Sequence, residues 1–508
     1  MENLNNIILI VLASCVFIFA TMLLFALRWA RRQYPMHRPY PVFFVTHAST
    51  SGVDANTFFS VLKCVLIPAC VAYGVLVCIY VAFLRQYAKA LNKPHIIYFF
   101  TNGVHFFLVS LVYLLFVGCV IAVVLKAWRY LGISYAIHKK PEYSEFYEKN
   151  YVAPEQVKIA FPQKKRNLIV IFMESMESTF SSIEDGGVFT ESCIPNLTAL
   201  ARENCNFSNT DKLGGAENLE GTSWTVAGIL SKLSGLPYFA PFAKRDGKLT
   251  CIPHAVTLTD ILQANGYRCV FSFGSEMRFE NRDAFLEGHG IEIHDINWFK
   301  KNGWLPKKYQ VFWGFEDMKL FDFARRELTQ LGENDEPFFY AMLTVDTHFP
   351  NGYACPKCPH IFPRQIMNVL RCADMQIAEL IAWMKKQAWW ENTTVVITGD
   401  HNYLDAPKNN FIAEASPLYK KTEAQRKCLD IFVQSVKKCS QDVCKNRQFS
   451  SYDMFPTMLE SIGCEIEGGA LAFGRSLYSG KKTLVEQYGV QKCNEELMKR
   501  TTQYEELK

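Results

Sequence analysis

Two apolar runs end in side chains that could bind a metal ion. The run LIVIFM is followed by Glu174 and Ser175, and TTVVITG is followed by Asp400 and His401. Short apolar runs of this kind are typical of buried strands. A strand that ends in a carboxylate and an imidazole offers two ligands to one divalent cation, and Glu174 adds a third if its strand is a neighbour. The alternative is that each acidic residue is a helix cap or a solvated loop residue.

A third segment, EGTSWT at residues 220–225, precedes an apolar stretch with helical spacing. In one interpretation Thr222 is a nucleophile at the N-terminus of that helix, where the dipole and free N–H groups favour an anionic phosphate. Gly221 would let the backbone approach the phosphate closely. In the other interpretation Thr222 is an N-cap. Ser223 and Thr225 offer neighbouring hydroxyls, and of the three we predict that Thr222 meets the metal.

The elements that must position these side chains alternate along the chain after residue 167. The expected strands are Leu168–Met173, Cys269–Phe273, Phe338–Leu343, Thr394–Thr398 and Leu429–Val433, and the expected helices include Thr225–Leu233, Leu258–Ala264 and Met375–Lys386. This alternation predicts an α/β fold whose largely parallel central sheet is covered by helices on both faces. In such sheets chemistry gathers at the carboxyl ends of the strands.

Composition excludes several classes of protein. With 49% apolar and 20% charged residues the chain is not disordered. Residues 1–126 carry nine basic and two acidic residues, whereas the remainder carries 45 basic and 47 acidic residues. A nucleic-acid binder of this size should be more basic in its folded part, so we expect no nucleic-acid partner.

The N-terminal region is expected to be membrane-embedded. Residues 7–27, 61–84 and about 103–125 are each long and apolar enough to cross the bilayer as a helix, so we expect a multi-pass protein. The first segment lacks the basic n-region and small-residue cleavage site of a signal peptide and is interpreted as a retained anchor. The predicted domains are a transmembrane region (1–126), an interfacial linker (127–166), a catalytic domain (167–485) and a polar C-terminal tail (486–508).

The cysteines indicate an oxidising, extracytoplasmic compartment for the catalytic domain. Twelve of the 17 cysteines follow residue 190, a high density for a reduced cytosolic enzyme. By proximity, the expected disulfides are Cys193 with Cys205, Cys251 with Cys269, and Cys439 with Cys444. The C-x-x-C pair at 355–358 could instead bind zinc, but no second C-x-x-C or H-x3–5-H motif accompanies it. The basic residues that flank the three apolar segments favour the opposite, cytoplasmic side, and the conflict stays open.

Several motifs together resemble one family. In order they are MES (173–175), GTSWTVAG (221–228), LPYFAPF (236–242), MRFENRDAF (277–285), TVDTHFPNGY (344–353) and TGDH (398–401). So spaced, over about residues 145 to 480, they resemble the lipoteichoic-acid synthase and phosphoglycerol transferase branch of the sulfatase/alkaline-phosphatase superfamily. Sulfatases proper carry a C/S-x-P-x-R signature, and neither that Pro nor that Arg is found around Thr222, so sulfate-ester hydrolysis is disfavoured.

The resemblance implies roles for particular residues. Glu174, Thr222, Asp400 and His401 would bind one divalent ion, Mn²⁺ first, with Mg²⁺ or Zn²⁺ as alternatives, and Thr222 would be the nucleophile. Arg282 and His348 match positions that hold the substrate phosphoryl group. Synthase-like relatives have Trp where this chain has Glu280, which leaves the donor headgroup contacts open. The resemblance also implies a disulfide from Cys372 to one of Cys355 and Cys358.

The implied activity is transfer of a phosphoglycerol headgroup from a membrane phospholipid, phosphatidylglycerol, to a cell-envelope glycan through a phospho-threonyl intermediate. The protein would lie in the bacterial inner membrane with a periplasmic catalytic domain. Alternatives are phosphoethanolamine transfer to lipid A or glycan, hydrolysis of a phosphoester or sulfate ester, and a non-enzymatic membrane receptor on the same fold. The sequence does not fix the acceptor, the headgroup or the oligomeric state.

Overall fold

A computed structural model describes most of the chain. The described residues are 2–33, 59–91, 117–118, 120–126, 143–238, 243–245, 248–278, 282–404, 411–416, 426–438, 441–499 and 501–507. The chain forms two compact units, one made mainly of residues 1–140 and the other mainly of residues 141–508.

The first unit is helical. Helix α1 spans Glu2–Gln33, and a π-helical turn, Leu62–Leu66, leads into α2, Ile67–Leu91. Trp29 Nε1 donates a hydrogen bond of 2.9 Å to Ser60 Oγ, which ties α1 to the start of the second helical segment. Among the described residues one helix, Phe59–Cys78, is long and apolar enough to cross a membrane, and Ser14–Trp29 is a shorter apolar helix. The predicted span 7–27 lies within α1, and the predicted span 61–84 lies within the helical segment of residues 59–91. Most of the third predicted span, 103–125, lies outside the described residues.

The second unit alternates strands and helices. Its strands are β1 Ile159–Ala160, β2 Asn167–Met173, β3 Gly215–Ala216, β4 Ala243–Arg245, β5 Lys248–Thr250, β6 Arg268–Phe273, β7 Glu292–His294, β8 Phe338–Leu343, β9 Thr393–Gly399, β10 Cys428–Val433, β11 Glu465–Ile466, β12 Ala470–Leu471 and β13 Gly474–Arg475. Its helices are α3 Phe146–Asn150, α4 Pro195–Glu203, α5 Thr225–Ser234, α6 Leu258–Ala264, α7 Arg282–Leu286, α8 Ile296–Lys301, α9 Asp317–Gly332, α10 Gln365–Met384, α11 Phe411–Ala415, α12 Gln441–Cys444, α13 Met454–Ser461, α14 Leu484–Leu497 and α15 Thr502–Leu507.

Seven strands form the central sheet in the order β3-β10-β9-β2-β8-β6-β7. The five strands β9, β2, β8, β6 and β7 are parallel, and β10 and β3 add an antiparallel edge. Every residue of β2, β8 and β9 is buried, as expected for strands covered on both faces. The predicted α/β fold with a largely parallel, helix-covered sheet is confirmed.

The five predicted strands are each found within one residue of the expected bounds. The largest error concerns α10, which begins at Gln365 rather than Met375. Ile366, Val369, Leu370 and Ala373 continue the apolar stripe backwards at helical spacing, and all four are buried. Polar residues lie between these four positions, so the stripe does not form an uninterrupted apolar run and was not recognised as helix.

The predicted catalytic domain, 167–485, is too short at both ends. The predicted linker, 127–166, includes α3, where Phe146 and Tyr147 are buried in the main core. The predicted polar tail, 486–508, includes most of α14 and all of α15, and it contributes Cys493, Leu497 and Tyr504 to the same core. The Tyr147 hydroxyl donates a hydrogen bond of 3.1 Å to the carbonyl of Leu497, so the first and last helical segments of the unit are in contact. The tail contains few apolar residues, so its average composition is polar. The apolar residues that it does contain are nevertheless buried in the core.

The cysteines pair differently from the expected order. The Sγ atoms of Cys205 and Cys444 lie 3.5 Å apart, so the proposed pairings of Cys205 with Cys193 and of Cys444 with Cys439 are wrong in their partners. Nearness along the chain did not predict the pairing here. Phe432, in β10, forms a β-bridge with Cys205. This bridge brings the strand before Cys444 against the segment after α4. Cys251 and Cys269 are both buried as free thiols. Cys439 lies outside the described residues.

We expect Leu497→Ala to lower the free energy of unfolding of the second unit by about 2–5 kcal/mol, because it removes a fully packed side chain from the core. The matched control on the same helix is Glu495→Ala, an exposed residue whose loss should change the free energy by less than about 0.5 kcal/mol. Urea unfolding of both variants measures the difference. Equal effects would mean that α14 is a tail after all.

Candidate active site

The carboxyl ends of β2 and β9 bring the predicted ligands together. The two strands are adjacent and parallel, with Met173 paired to Gly399, so the residues that follow each strand emerge side by side. One ligand atom from each of Glu174, Asp400 and His401 lies within 4.8 Å of the others, and all three side chains are buried. The predicted convergence of these three side chains is therefore present in the fold.

Asp400 contributes a carboxylate with one satisfied and one unsatisfied oxygen. Its Oδ1 accepts hydrogen bonds of 2.7 Å from the backbone N–H groups of Ser175 and His401. Its Oδ2 is buried and accepts no hydrogen bond from the described residues. Burial and the nearby charge of Glu174 raise the pKa of Asp400 to about 7. A buried carboxylate oxygen without a donor is costly unless a cation takes that place.

The His401 ring presents a lone pair to the same point. Its Nδ1 donates a 2.7 Å hydrogen bond to the carbonyl of Asn402, so Nδ1 carries the proton and Nε2 is unprotonated in the neutral ring. Nε2 lies 3.5 Å from both Glu174 Oε1 and Asp400 Oδ2. A backbone carbonyl that fixes the tautomer of a ligating histidine is the usual outer contact of metal-binding imidazoles.

Ser175 positions both carboxylates, and sequence reasoning missed this role. It adopts φ of 55°, a left-handed conformation that is uncommon for residues with a side chain. In this conformation its N–H reaches Asp400 Oδ1 and its hydroxyl donates 2.6 Å to Glu174 Oε1. The only sequence signal is a small hydroxyl residue directly after the strand end.

The hydroxyl that reaches this centre belongs to Thr225. Helix α5 begins at Thr225, three residues later than the position of Thr222. Thr225 Oγ1 lies 3.2 Å from Glu174 Oε2 and 3.4 Å from His401 Nε2. Thr222 is also buried, but its hydroxyl donates 2.8 Å to the carbonyl of Leu219 instead. The helix starts at Thr225, as the predicted helix Thr225–Leu233 has it, so Thr222 lies before the helix, separated from it by Ser223 and by Trp224, whose backbone is extended.

A glycine on α5 allows the helix to approach the metal ligands. A Cβ atom at Gly228 would lie 2.0 Å from the carbonyl oxygen of Asp400, so no side chain fits there. Gly228 is one turn after Thr225, and this close contact sets the distance of Thr225 from Glu174. This glycine lies within the GTSWTVAG motif, but its position in the sequence alone does not predict the close contact.

A buried lysine lies behind the site. Lys232, on α5, is fully buried, and its Nζ donates to the carbonyl of Asp400 (3.4 Å) and to Ser451 Oγ (3.0 Å). Its charge also lowers the pKa of buried Asp430, which burial raises to about 6. A buried ammonium group next to buried carboxylates offsets part of their mutual repulsion. A lone Lys on an apolar helix gave no signal in the sequence.

The two predicted phosphoryl-binding residues lie after the next strands of the same sheet edge. His348 follows β8, and the neighbouring Thr347 donates 2.6 Å to the backbone carbonyl of Glu174. The His348 ring lies 4.8 Å from the ring of Trp313. Arg282 begins α7, after β6; it is buried, donates 2.6 Å to Ser275 Oγ, and lies over the ring of Phe273. His348 therefore follows β8, which neighbours β2, and Arg282 follows β6, the next parallel strand beyond β8.

The donor set fits a divalent cation. Two carboxylates and one imidazole make a mainly hard site, which suits Mn²⁺ or Mg²⁺ and also accepts Zn²⁺. The Asp400 Oδ2 without a hydrogen bond from the described residues, the unprotonated His401 Nε2 and the nearby Thr225 hydroxyl surround a place where one ion could bind to all of them. Such an ion would polarise a bound phosphoryl group or lower the pKa of a hydroxyl.

The layered α/β fold, with a candidate divalent-metal centre at the carboxyl edge of a largely parallel sheet, defines an alkaline-phosphatase-like class of protein. A family model described as Sulfatase matches residues 166–463, more than half of the chain. The chain therefore belongs to the sulfatase family.

Curated relatives include phosphoglycerol transferase I from Escherichia coli, which is 32% identical over 248 residues, and the enzyme of the same name from Citrobacter koseri, 32% identical over 249 residues. Each alignment covers 47% of this chain and 31% of the relative, so the chain spans about a third of the length of these relatives. The solved lipooligosaccharide phosphoethanolamine transferase A from Neisseria meningitidis is 14% identical, with a TM-score of 0.51, and the match covers 90% of this chain and 84% of that one. This last likeness concerns the fold alone.

We expect Asp400→Asn to weaken the binding of Mn²⁺ by at least about 100-fold, because it removes a charged ligand from the centre of the site. Isothermal titration calorimetry of the full-length protein measures the affinity, and thermal unfolding with and without Mn²⁺ tests whether the ion still stabilises the fold. The control is Asp322→Asn, an exposed carboxylate on α9. Unchanged Mn²⁺ affinity in Asp400→Asn would place the metal elsewhere.

Proposed function

We propose that this protein is a membrane-anchored, metal-dependent transferase that moves a phosphoglycerol headgroup from phosphatidylglycerol to a cell-envelope glycan. The observation that carries the proposal is the centre formed by Glu174, Asp400 and His401 with the Thr225 hydroxyl 3.2 Å from Glu174. The relatives at 32% identity, named phosphoglycerol transferase I, support the choice of headgroup. The apolar helix Phe59–Cys78 supports attachment to the membrane in which a lipid donor resides.

The nucleophile in this proposal is Thr225 and not Thr222, the residue that sequence analysis favoured. Thr225 lies at the first position of α5, the end of the helix whose dipole favours an anionic phosphate. Its hydroxyl is already within reach of a carboxylate that can accept the proton, whereas that of Thr222 is committed to the Leu219 carbonyl. Thr222 instead stabilises the entry to the helix.

The proposed reaction has two displacement steps. Thr225 Oγ1 attacks the phosphorus and its proton passes to Glu174. A bond from Oγ1 to phosphorus forms, the bond from phosphorus to the diacylglycerol oxygen breaks, and that oxygen takes the proton from Glu174 as diacylglycerol leaves. Arg282 and His348 neutralise the phosphoryl oxygens. The divalent ion, when bound, supplies charge stabilisation to the phosphoryl group. A hydroxyl of the glycan then attacks the phosphothreonine and loses its proton to Glu174, the Oγ1–phosphorus bond breaks, and Thr225 Oγ1 takes that proton from Glu174.

The location that accompanies this activity is the outer face of the bacterial inner membrane. A lipid donor stays in the bilayer, so an enzyme that uses it benefits from an anchor beside it. The close approach of Cys205 and Cys444, at 3.5 Å, is compatible with disulfide formation in an oxidising compartment. Mn²⁺ remains the proposed ion because the donor set is mainly oxygen.

We expect incubation of the full-length protein with Mn²⁺ and phosphatidylglycerol, without acceptor, to add one phosphoglycerol group to Thr225. Thr225→Ala should carry no adduct and lose at least about 1,000-fold in turnover, because a covalent nucleophile has no substitute. Tandem mass spectrometry locates the added mass among the hydroxyls of residues 222–225.

The matched controls are Thr222→Ala and Ser223→Ala, which should both retain the adduct. An adduct on Thr222, lost in Thr222→Ala, would restore the sequence-based assignment. Phosphatidylethanolamine in place of phosphatidylglycerol tests the headgroup: loading from that donor alone would identify a phosphoethanolamine transferase. Steady release of glycerol phosphate without any glycan acceptor would identify a hydrolase.

A further inference from the structure

A second group of potential metal ligands lies away from the carboxylate centre. Cys355, Cys358 and Cys372 are all buried, and their three sulfur atoms lie within 4.8 Å of one another. Cys355 Sγ is 3.6 Å from Cys372 Sγ and 3.8 Å from Cys358 Sγ. The first two residues belong to a tight turn closed by the Cys358 N–H and the Cys355 carbonyl (2.9 Å), and the third lies on α10.

These sulfur separations match those of a metal–thiolate site. Zinc binds thiolates at about 2.3 Å in tetrahedral geometry, which separates neighbouring sulfurs by about 3.8 Å. A disulfide would draw two of the sulfurs together to about 2.05 Å and leave the third without a partner. The separations of 3.6 and 3.8 Å are those of neighbouring ligands in a zinc–sulfur tetrahedron, and all three sulfurs lie within 4.8 Å of one another.

Hydrogen-bond donors surround the sulfurs. The backbone N–H groups of Lys357 and Cys358 donate to the Cys355 sulfur. Gln376 Nε2 lies 3.5 Å from Cys372 Sγ as a further donor. Hydrogen bonds to the sulfurs are the outer contacts that stabilise metal-bound thiolates. Val369, Met318 and Tyr353 pack against the cysteines.

We propose that Cys355, Cys358 and Cys372 bind one zinc ion as a three-thiolate site, with a fourth position for water. Binding displaces the remaining thiol protons and involves no oxidation. The site is distinct from the carboxylate centre, and the proposal does not depend on the proposed transferase activity. The Cys-x-x-Cys pair was visible in the sequence, and the family resemblance linked Cys372 to one of its cysteines as a disulfide; the fold brings all three sulfurs together.

The role of such a site would be to hold the loop that carries His348. Gly352 N–H donates 3.0 Å to the His348 carbonyl, and Tyr353 N–H donates 2.7 Å to that of Asp346. Cys355 follows two residues later, so zinc would join the end of this loop to α10 through Cys372. A disulfide from Cys372 to one of the other two cysteines would also join them, but it would consume two of the three ligands and exclude zinc.

The test is zinc analysis of the full-length protein purified without reductant or chelator. We expect about one zinc per chain that survives in Asp400→Asn and is lost in Cys372→Ser. Replacement of zinc by Co²⁺ should give a sulfur-to-cobalt charge-transfer band, which the carboxylate centre cannot produce because it contains no thiol. Cys193→Ser, which removes a buried thiol outside the cluster, is the matched control and should keep both the zinc and the band.

Because Cys372→Ser could unfold the chain, thiol mapping of the wild-type protein provides a second measurement. We expect zinc to protect all three cysteines from alkylation and its removal to expose all three. A disulfide between Cys372 and either Cys355 or Cys358 in the purified protein would overturn the proposal. So would a zinc content that does not change in a folded Cys372→Ser variant. Loss of transferase activity in Asp400→Asn with retained zinc would separate this site from the catalytic one.

Discussion

The burial of two carboxylates side by side is the constraint on which the rest of the site depends. Glu174 and Asp400 repel each other in a region of low dielectric, and burial of either charge alone is unfavourable. The N–H groups of Ser175 and His401, the Thr225 hydroxyl and the ammonium of Lys232 offset part of this cost. One oxygen of Asp400 remains without a donor among the described residues, and a divalent cation is the natural partner for it.

The parallel sheet explains how residues from distant parts of the chain meet. Adjacent parallel strands end at the same edge, so residues that follow β2, β8, β6 and β9 gather there although more than 200 positions separate Glu174 from Asp400. The helix that carries Thr225 is the remaining component. Its position depends on a backbone contact at Gly228, where a methyl group would already collide with Asp400.

The cysteines show how one residue type serves different purposes in one unit. Cys205 and Cys444 bring two distant segments together at the edge of the sheet, while Cys355, Cys358 and Cys372 form a compact group below the loop with His348. Cys251 and Cys269 lie in the core as single buried thiols, where they fill volume like other small apolar side chains. Counting cysteines therefore indicated a compartment but not a pattern of pairing.

The sequence by itself determined the order of the strands and helices, the strand ends that carry Glu174, Asp400 and His401, and the family. Apolar runs and strand-end residues are local signals, and a parallel sheet converts them directly into proximity. Only the tertiary structure decided which hydroxyl lies beside the candidate metal ligands, that the last helices belong to the core, and that the sulfurs of Cys355, Cys358 and Cys372 all lie together. Each of these depends on contacts between segments far apart in the chain: Gly228 against Asp400, α14 against α3, and α10 against the turn at 355–358.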